Sequence, residues 1–277
     1  MNLLILPFDH RSSFERDLGL KDKKKISLAK YLIFSGFVLA QSKYKSLETD
    51  GGILVDDCYG KEILLKSKKK KIITMMPVEK SGQTVLKWDH GSDFGKYIKE
   101  IKPDYVKVLL RYNPANKSDN VKQLYRLQEL NAWCKKNKYK SLVELLPEGR
   151  GKEAELLSKS IKEIQTAIKP NVWKIPGLNT GREWRLVLSQ ILSVDKKAKV
   201  IVLGRAQSDK VLKQWLKAGK NAWPNKKDNP VIGFAIGRSI FMPALQLWVK
   251  NKIDDKKAIE MIAEKYLYFV KYWRGIK

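Results

Sequence analysis

The sequence predicts one (β/α)₈ barrel, an α/β fold of the TIM-barrel type. Eight short apolar runs of β-type recur along the chain, and each is followed by a stretch with helical periodicity. A Rossmann sheet would need fewer strands and a G-x-G-x-x-G turn, and no such turn follows the first run. No linker, low-complexity segment or internal repeat divides the 277 residues, so we expect a single domain over 1–277.

The predicted elements alternate as a barrel requires. The strands are LLILPF (3–8), GILVD (52–56), KIITMMP (71–77), YVKVLL (105–110), SLVELL (141–146), VWKI (172–175), KVIVLG (199–204) and VIGFAIG (231–237). Among the helices, SLAKYLIFSGFVLA (27–40) is strongly apolar and is expected to begin with a Ser27 cap. VKQLYRLQELNAWCKKN (121–137) is amphipathic with a basic last turn, and DDKKAIEMIAEKYLYFVKYW (254–273) would close the barrel.

The chain is strongly basic. Its 56 Lys and Arg against 29 Asp and Glu give a net charge of +27, which suits nucleic acid, an anionic surface or phosphorylated substrates. Most of the excess lies in lysine runs such as KDKKK (21–25) and KSKKKK (66–71), which are typical of solvated loops and helix faces. Because no helix-turn-helix, zinc-finger or RNP motif accompanies the charge, we do not expect a nucleic-acid partner.

The cysteines and the first residues indicate the compartment. Cys58 and Cys134 lie far apart in no metal or redox spacing, which favours reduced thiols over a disulfide. The apolar run in MNLLILPFDHR is too short to span a membrane and lacks the features of a signal peptide. We therefore expect a cytoplasmic protein without a membrane partner. The sequence leaves the oligomeric state open, a homo-oligomer included.

Polar residues collect at the carboxyl ends of the predicted strands, where the chemistry of such barrels is located. In chain order these residues are Asp9, His10, Arg11, Asp56, Asp57, Glu79, Lys80, Lys107, Arg111, Glu144, Lys174, Arg205 and Arg238. The alternation of the fourth strand puts Lys107 and Arg111 on one face, so both cations can point into the same cavity. One strand lysine or one glutamate alone is more typical of an edge or an ion pair. It is the joint pattern that predicts a pocket with charges of both signs.

The run NVWKIPG (171–177) places Lys174 inside a short apolar strand. Burial and a neighbouring cation lower the pKa of an amine and expose its lone pair. An interior lysine beside a second lysine and a carboxylate is therefore the arrangement expected for Schiff-base chemistry. Lys174, Lys107 and Glu144 fit it, and the carboxylate can transfer protons during carbinolamine formation and carbon–carbon cleavage.

The loops after strands seven and eight carry a phosphate-binding pattern. GRAQSD (204–209) and GFAIGRS (233–239) each contain a Gly-Arg pair, Gly204-Arg205 and Gly237-Arg238. Glycine lets backbone N–H groups approach an anion, and arginine adds a bidentate charge. Alternatively, each pair forms a tight turn with a surface ion pair.

Metal catalysis is the competing mechanism for the same fold. His10 and His90 are the only histidines, which is fewer than a zinc-dependent aldolase site generally needs. Asp56, Asp57 and Glu79 have oxygen ligands suited to magnesium, but their spacing does not argue for it. We therefore expect no metal and no other cofactor.

Nine segments of the chain resemble a known family. They are FDHR (8–11), ILVDDCYG (53–60), PVEKSGQ (77–83), DHGSDFG (89–95), VKVLLRYNP (106–114), VELLP (143–147), VWKIPGL (172–178), VLGRAQSD (202–209) and GFAIGRSIF (233–241). Together they resemble the 2-deoxy-5-keto-gluconate-6-phosphate aldolase-like domain, which is often fused to 5-dehydro-2-deoxygluconokinase in inositol-catabolic proteins. The order of motifs is also similar, more distantly, to the class I tagatose-1,6-bisphosphate aldolases.

The resemblance implies a metal-free class I aldolase that acts on a phosphorylated keto-sugar. It implies that Lys174 forms the Schiff base, Glu144 serves as acid and base, and Lys107 supports them. Asp9 would orient a lysine or a substrate hydroxyl. Substrate contacts are expected from Arg11, Asp56, Glu79, Lys80 and Arg111, and phosphate contacts from Gly204, Arg205, Gly237 and Arg238. Two alternatives stay open: an isomerase or epimerase using the same carboxylates, and a non-catalytic binder of sugar phosphates or anionic polymers.

Overall fold

Eight parallel strands close into a barrel in the order of the sequence, with β8 pairing back to β1. The structure is a computed structural model and describes residues 2–276. The strands are β1 Leu3–Pro7, β2 Gly51–Leu54, β3 Ile73–Pro77, β4 Tyr105–Tyr112, β5 Lys140–Pro147, β6 Val172–Pro176, β7 Lys199–Leu203 and β8 Val231–Ala235. Each of the eight overlaps a predicted run, with ends that differ by up to two residues, and the predicted (β/α)₈ fold is confirmed.

Helices surround this barrel. They are α1 Ser12–Leu18, α2 Lys23–Lys43, α3 Leu47–Asp50, α4 Asp57–Lys69, α5 Phe94–Ile101, α6 Lys117–Asn137, α7 Glu153–Ile164, α8 Gly181–Val194, α9 Asp209–Lys220, α10 Arg238–Val249 and α11 Asp255–Gly275, with 3₁₀ turns at Gly91–Asp93 and Lys226–Asp228. Across the described part of the chain, no helix combines the length and the apolar character needed to cross a bilayer.

The predicted start of the second helix is wrong. Helix α2 begins at Lys23, and the side chain of Asp22 accepts a hydrogen bond from the backbone N–H of Lys24 at 2.8 Å. Lysine is a good helix former, so the basic run before Ser27 continues the helix instead of delaying it. Ser27 therefore lies inside the helix, and a carboxylate provides the cap.

The interior of the barrel is filled by two layers of different chemistry. An apolar layer inside the barrel consists of Leu3, Ile5, Leu54, Met75, Tyr105, Leu142, Val172, Ile201 and Ala235. Leu142 on β5 is level with Val172 on β6, and two residues further along Glu144 is level with Lys174. Because alternate residues of a strand share a face, the charged layer lies directly above the apolar one, at the carboxyl ends of the strands.

Candidate active site

A cavity of about 540 Å³ opens at the carboxyl ends of the strands. The sequence-predicted site residues that line it are Asp9, Arg11, Glu79, Lys80, Lys107, Arg111, Glu144, Lys174, Gly204, Arg205, Gly237 and Arg238. The prediction that Lys107 and Arg111 face one cavity from β4 therefore agrees with the structure. The barrel brings together residues that are up to about 230 positions apart in the sequence.

Lys107 lies at the centre of this cavity's charges. Its Nζ donates to Asp9 Oδ2 at 2.8 Å and to Glu79 Oε1 at 2.7 Å, and it lies 3.0 Å from Glu144 Oε2. The side chain is nearly fully buried, so these three carboxylates replace its water. Burial alone would lower the pKa of Lys107, but chiefly the charges of Asp9 and Glu144 raise it well above its usual range. Lys107 is therefore held as an ammonium ion.

Lys174 has a different environment. Its Nζ lies 2.9 Å from Glu144 Oε1, and within residues 2–276 this is its one ion pair. The residue is as buried as Lys107, at 2% exposure. Glu144 thus contacts one lysine through each carboxylate oxygen. Lys107 and Lys174 therefore share the carboxylate of Glu144 at the base of the cavity, but Lys107 contacts two further carboxyl groups and Lys174 does not.

The three carboxylates around Lys107 differ in their preference for a proton. Burial alone would raise the pKa of Asp9 and of Glu144, but Lys107 and Lys174 lower both below their usual range. For Glu79 burial dominates, and its pKa is raised despite the attraction of Lys107. Two of the carboxyl groups are therefore held ionised, and the third releases its proton less readily than an ordinary glutamic acid.

His10 also lines the cavity, next to Asp9. Its ring packs edge-on against Phe241, and no residue of the described chain partners its buried Nδ1. Burial lowers the pKa of His10 to about 4, although Asp9 opposes this shift. The imidazole is therefore neutral at pH 7. Its place at the carboxyl end of the first strand was predicted, but no role in catalysis or binding was assigned to it.

The two Gly-Arg loops lie side by side at the mouth. The hydroxyl of Ser239 donates to the backbone carbonyl of Gln207 at 2.9 Å and so ties the loops together. Arg205 and Ala206 both have left-handed backbones, with φ of 48° and 54°, a conformation that costs energy for residues other than glycine. At Gly237 a Cβ atom would lie 2.2 Å from the carbonyl oxygen of Pro7. Only glycine allows the loop after β8 to approach the end of β1 this closely.

The arginines of these loops are paired with acidic side chains at the rim. Arg205 bonds to Glu153, and Arg238 Nη1 lies 3.4 Å from Asp17 Oδ2. Both arginines are partly exposed to the cavity. On the opposite side, Arg111 lies 3.5 Å from Glu148 with both side chains largely exposed. Exposed pairs of this kind are weak, so an anionic ligand can replace the carboxylate.

The loop after β3 folds over the cavity, which the sequence did not predict. Glu79 pairs with Trp88 in an antiparallel bridge, and Lys80 N donates to the carbonyl of Lys87 at 2.8 Å. Arg11 anchors the loop by donating to the carbonyl of Glu79 and to Asp89 Oδ2, each at 2.5 Å. Arg11 therefore holds the wall of the cavity, while Lys80 is exposed on it.

Asp56, predicted to contact substrate, does not line this cavity. The strand β2 ends at Leu54, and the Asp56 side chain caps α4 by accepting from Tyr59 N at 2.9 Å. It also forms a fully buried ion pair with Lys30, whose Nζ donates to the carbonyl of His10 at 3.0 Å. The chain turns into a helix before Asp56 can point inward, so the structure assigns it to helix capping and ion pairing.

One group within residues 2–276 has the spacing for a metal ion. The ligand atoms of Asp57, Asp89 and His90 lie within 4.8 Å of one another. Each residue already has a partner, because His90 Nε2 lies 2.7 Å from Asp57 and Asp89 is paired with Arg11. The guanidinium beside Asp89 opposes a second positive charge there.

The fold has relatives among solved structures. A protein from Corynebacterium glutamicum superposes with a TM-score of 0.62 and 13% identity, over 96% of this chain and 86% of its own. The YdjI aldolase from Escherichia coli K12 gives 0.60 and 9%, over 99% and 92%. A Schiff base forming fructose-1,6-bisphosphate aldolase gives 0.58 and 15%, over 95% and 93%. At these identities the likeness shows a shared fold.

Sequence comparisons assign the chain to a family. No curated protein sequence matches it significantly. The family described as "Uncharacterized protein conserved in bacteria (DUF2090)" matches residues 1–277. This match covers the whole chain, including every strand of the barrel and every residue of the cavity, and the protein therefore belongs to the DUF2090 family.

Proposed function

We propose that this protein is a class I aldolase that cleaves or forms a carbon–carbon bond in a phosphorylated keto-sugar through a Schiff base on Lys174. The unequal environment of the two buried lysines carries the proposal. Lys107 contacts three carboxylates and stays charged, whereas Lys174 contacts Glu144 and faces the cavity. An amine can attack a ketone only from its neutral form, and Lys174 needs to lose a proton to a single neighbour.

Glu144 is the proposed acid and base. Its carboxylate lies 2.9 Å from Lys174 Nζ, so it can take the proton of the attacking amine, return it to the leaving hydroxyl of the carbinolamine, and accept the hydroxyl proton released on cleavage. Lys107 keeps Glu144 ionised at rest and stabilises negative charge that develops nearby. Asp9, ionised beside Lys107, orients that lysine.

The loops after β7 and β8 are the proposed phosphate site. Gly204, Arg205, Gly237 and Arg238 line the cavity there. The left-handed turn at Arg205 and Ala206 exposes backbone groups, and the two guanidinium groups have exchangeable carboxylate partners. The motif resemblance suggests 2-deoxy-5-keto-gluconate 6-phosphate, an intermediate of inositol catabolism, as the substrate. Lys80 and Arg111 would contact its other end.

Borohydride trapping tests the proposal. We expect dihydroxyacetone phosphate and borohydride to leave a reduced adduct on Lys174, located by peptide mass spectrometry. Lys174→Met should lose the adduct and at least about 10³-fold of the cleavage rate. Lys199→Met is the matched control, since Lys199 is also a strand lysine but is exposed at the amino end of β7.

Two results would contradict the proposal. An isomerase or epimerase that uses the same carboxylates would keep its activity in Lys174→Met. A protein that only binds anions would bind sugar phosphates without forming an adduct, and its affinity would fall with salt in the wild type and in Lys174→Met alike.

A further inference from the structure

Glu79 has an unused hydrogen-bonding atom inside the cavity. Its side chain is more than nine-tenths buried, and its Oε1 accepts from Lys107 Nζ at 2.7 Å. Its Oε2 is also buried, and none of residues 2–276 provides it with a partner. A buried polar atom without a partner costs free energy, and in a cavity open to ligands a substrate atom can provide that partner.

The neighbouring charges indicate the protonation of this group. The ammonium groups of Lys107 and Lys174 are balanced by the carboxylates of Asp9 and Glu144. Arg11, which bonds to the carbonyl of Glu79, is balanced by Asp89. Within these direct contacts two ammonium groups therefore face three carboxyl groups, so one of the three can be neutral without leaving a cation unpaired. Burial raises the pKa of Glu79, in agreement with this balance.

In a neutral Glu79 the proton has one favourable position. Oε1 already accepts from the Lys107 ammonium, so it acts as the carbonyl oxygen. The proton then resides on Oε2, the atom without a partner. Oε2–H is therefore a donor that lacks an acceptor until a ligand binds.

The position of Glu79 in the barrel identifies the part of the ligand that it would reach. In the closed strand order, the end of β3 lies four strands from β7, on the opposite side of the mouth from the loop with Arg205. Lys174 on β6 lies next to that loop. A phosphorylated ketose bound by one phosphate near β7 and β8, and by its ketone at Lys174, would extend the portion released as the aldehyde toward β3.

We propose that Glu79 acts as a neutral carboxylic acid whose Oε2–H donates a hydrogen bond to a carbonyl or hydroxyl oxygen of the substrate portion released as the aldehyde. This inference rests on the proposed aldolase function and extends it to the recognition of the second product. The donor stays protonated throughout and stabilises the charge that develops on that oxygen as the carbon–carbon bond breaks or forms.

Replacement by glutamine provides the test, because an amide is neutral and retains a donor. We expect Glu79→Gln to melt within about 2 °C of the wild type and to retain cleavage within about tenfold. Glu79→Met removes the donor, and we expect cleavage to fall about 100-fold in kcat, with unchanged trapping of dihydroxyacetone phosphate. That ketone lacks the aldehyde portion, so trapping separates loss of this contact from loss of Lys174 chemistry. Glu144→Gln, which replaces an ionised carboxylate, should abolish turnover.

The substrates for the cleavage assay are 2-deoxy-5-keto-gluconate 6-phosphate, tagatose 1,6-bisphosphate and fructose 1,6-bisphosphate. The inference is overturned if Glu79→Gln melts more than about 5 °C lower and loses activity as fully as Glu79→Met, because glutamine would then have replaced an ion. It is also overturned if Glu79→Met cleaves at the wild-type rate. If the wild type gives no adduct, the aldolase function and the substrate contact fail together, whereas the melting temperature of Glu79→Gln still decides whether Glu79 is neutral.

Discussion

Three lysines of this protein are buried to nearly the same degree, in two regions whose surroundings differ. Lys30, at 0% exposure, lies outside the barrel on α2, paired with Asp56 and the carbonyl of His10. The rings of Phe14 and Tyr59 lie 5.5 Å from its Nζ. In the barrel mouth, Lys107 and Lys174 share Glu144 beside a cavity. We refer to Lys30 and Asp56 as the outer pair, and to Lys107 and Lys174 with their carboxyl partners as the inner network. The outer pair is shielded from solvent, whereas the inner network faces a cavity that can take a ligand.

The comparison shows that burial of a charge does not by itself indicate chemistry. The Lys30–Asp56 pair matches one cation to one anion, and both are removed from solvent. The inner network has two cations, three carboxyl groups and the unpartnered Oε2 of Glu79 among the described residues. A site for catalysis needs groups whose proton or partner can change during the reaction. The inner network has such groups, and the outer pair fixes the backbone of His10 at the edge of the cavity.

The largest effect is expected from breaking the outer pair. Lys30→Met would leave the Asp56 carboxyl group buried without its partner, and we expect the free energy of unfolding to fall by about 4 kcal/mol, measured by urea unfolding. Lys174→Met is the comparison, since Glu144 would keep Lys107 at 3.0 Å and the loss should be roughly 1–2 kcal/mol. An equal loss of unfolding free energy in Lys30→Met and Lys174→Met would mean that the two lysines contribute equally to stability, against the comparison of the two regions.

Removing the second charge of the outer pair should restore much of that loss. In Lys30→Met/Asp56→Asn no charge is left buried, and the asparagine oxygen can still cap α4 through Tyr59 N. We expect about 2–3 kcal/mol to be regained relative to Lys30→Met. Borohydride trapping on Lys174 should occur at a rate near that of the wild type. If the double variant regained its stability but gave no trapped adduct on Lys174, the outer pair would contribute to catalysis, which would contradict the distinction between the two regions.

The fold could be predicted because each strand is a short apolar run followed by a helical pattern. The inward positions of Lys107, Glu144 and Lys174 follow from their places on β4, β5 and β6 and from the alternation of a strand. Those predictions needed only local pattern and the position of a residue along its strand.

The errors arose where the chain leaves a strand or where distant elements pack. Asp56 was expected to point inward, but β2 ends two residues earlier and the side chain caps a helix. Lys30 was not singled out, although it lies on the apolar face of α2 with Ile26, Ile33 and Phe37, all buried, which is a signal for a buried partner. The raised pKa of Glu79 depends on its burial and on charges from several strands, and no local pattern contains that information.

The smallest effect is expected from His10, which belongs to both regions. Its carbonyl accepts from Lys30, and its ring faces the cavity near the charges of Asp9, Arg238, Lys174 and Glu144. Burial lowers its pKa from 6.5 to about 4 in the folded protein, so between these values the unfolded chain binds a proton that the native state does not. The stability from neutral His10 is therefore complete above pH 6.5 and is lost as the pH falls toward 4.

Between about pH 7 and about pH 4.5, we expect the wild type to lose about 2 kcal/mol more unfolding free energy than His10→Asn, measured by urea unfolding. Asp9 and Glu144 titrate in both proteins, so the difference isolates the imidazole, and equal losses would show that His10 is protonated as easily in the native state as in the unfolded chain.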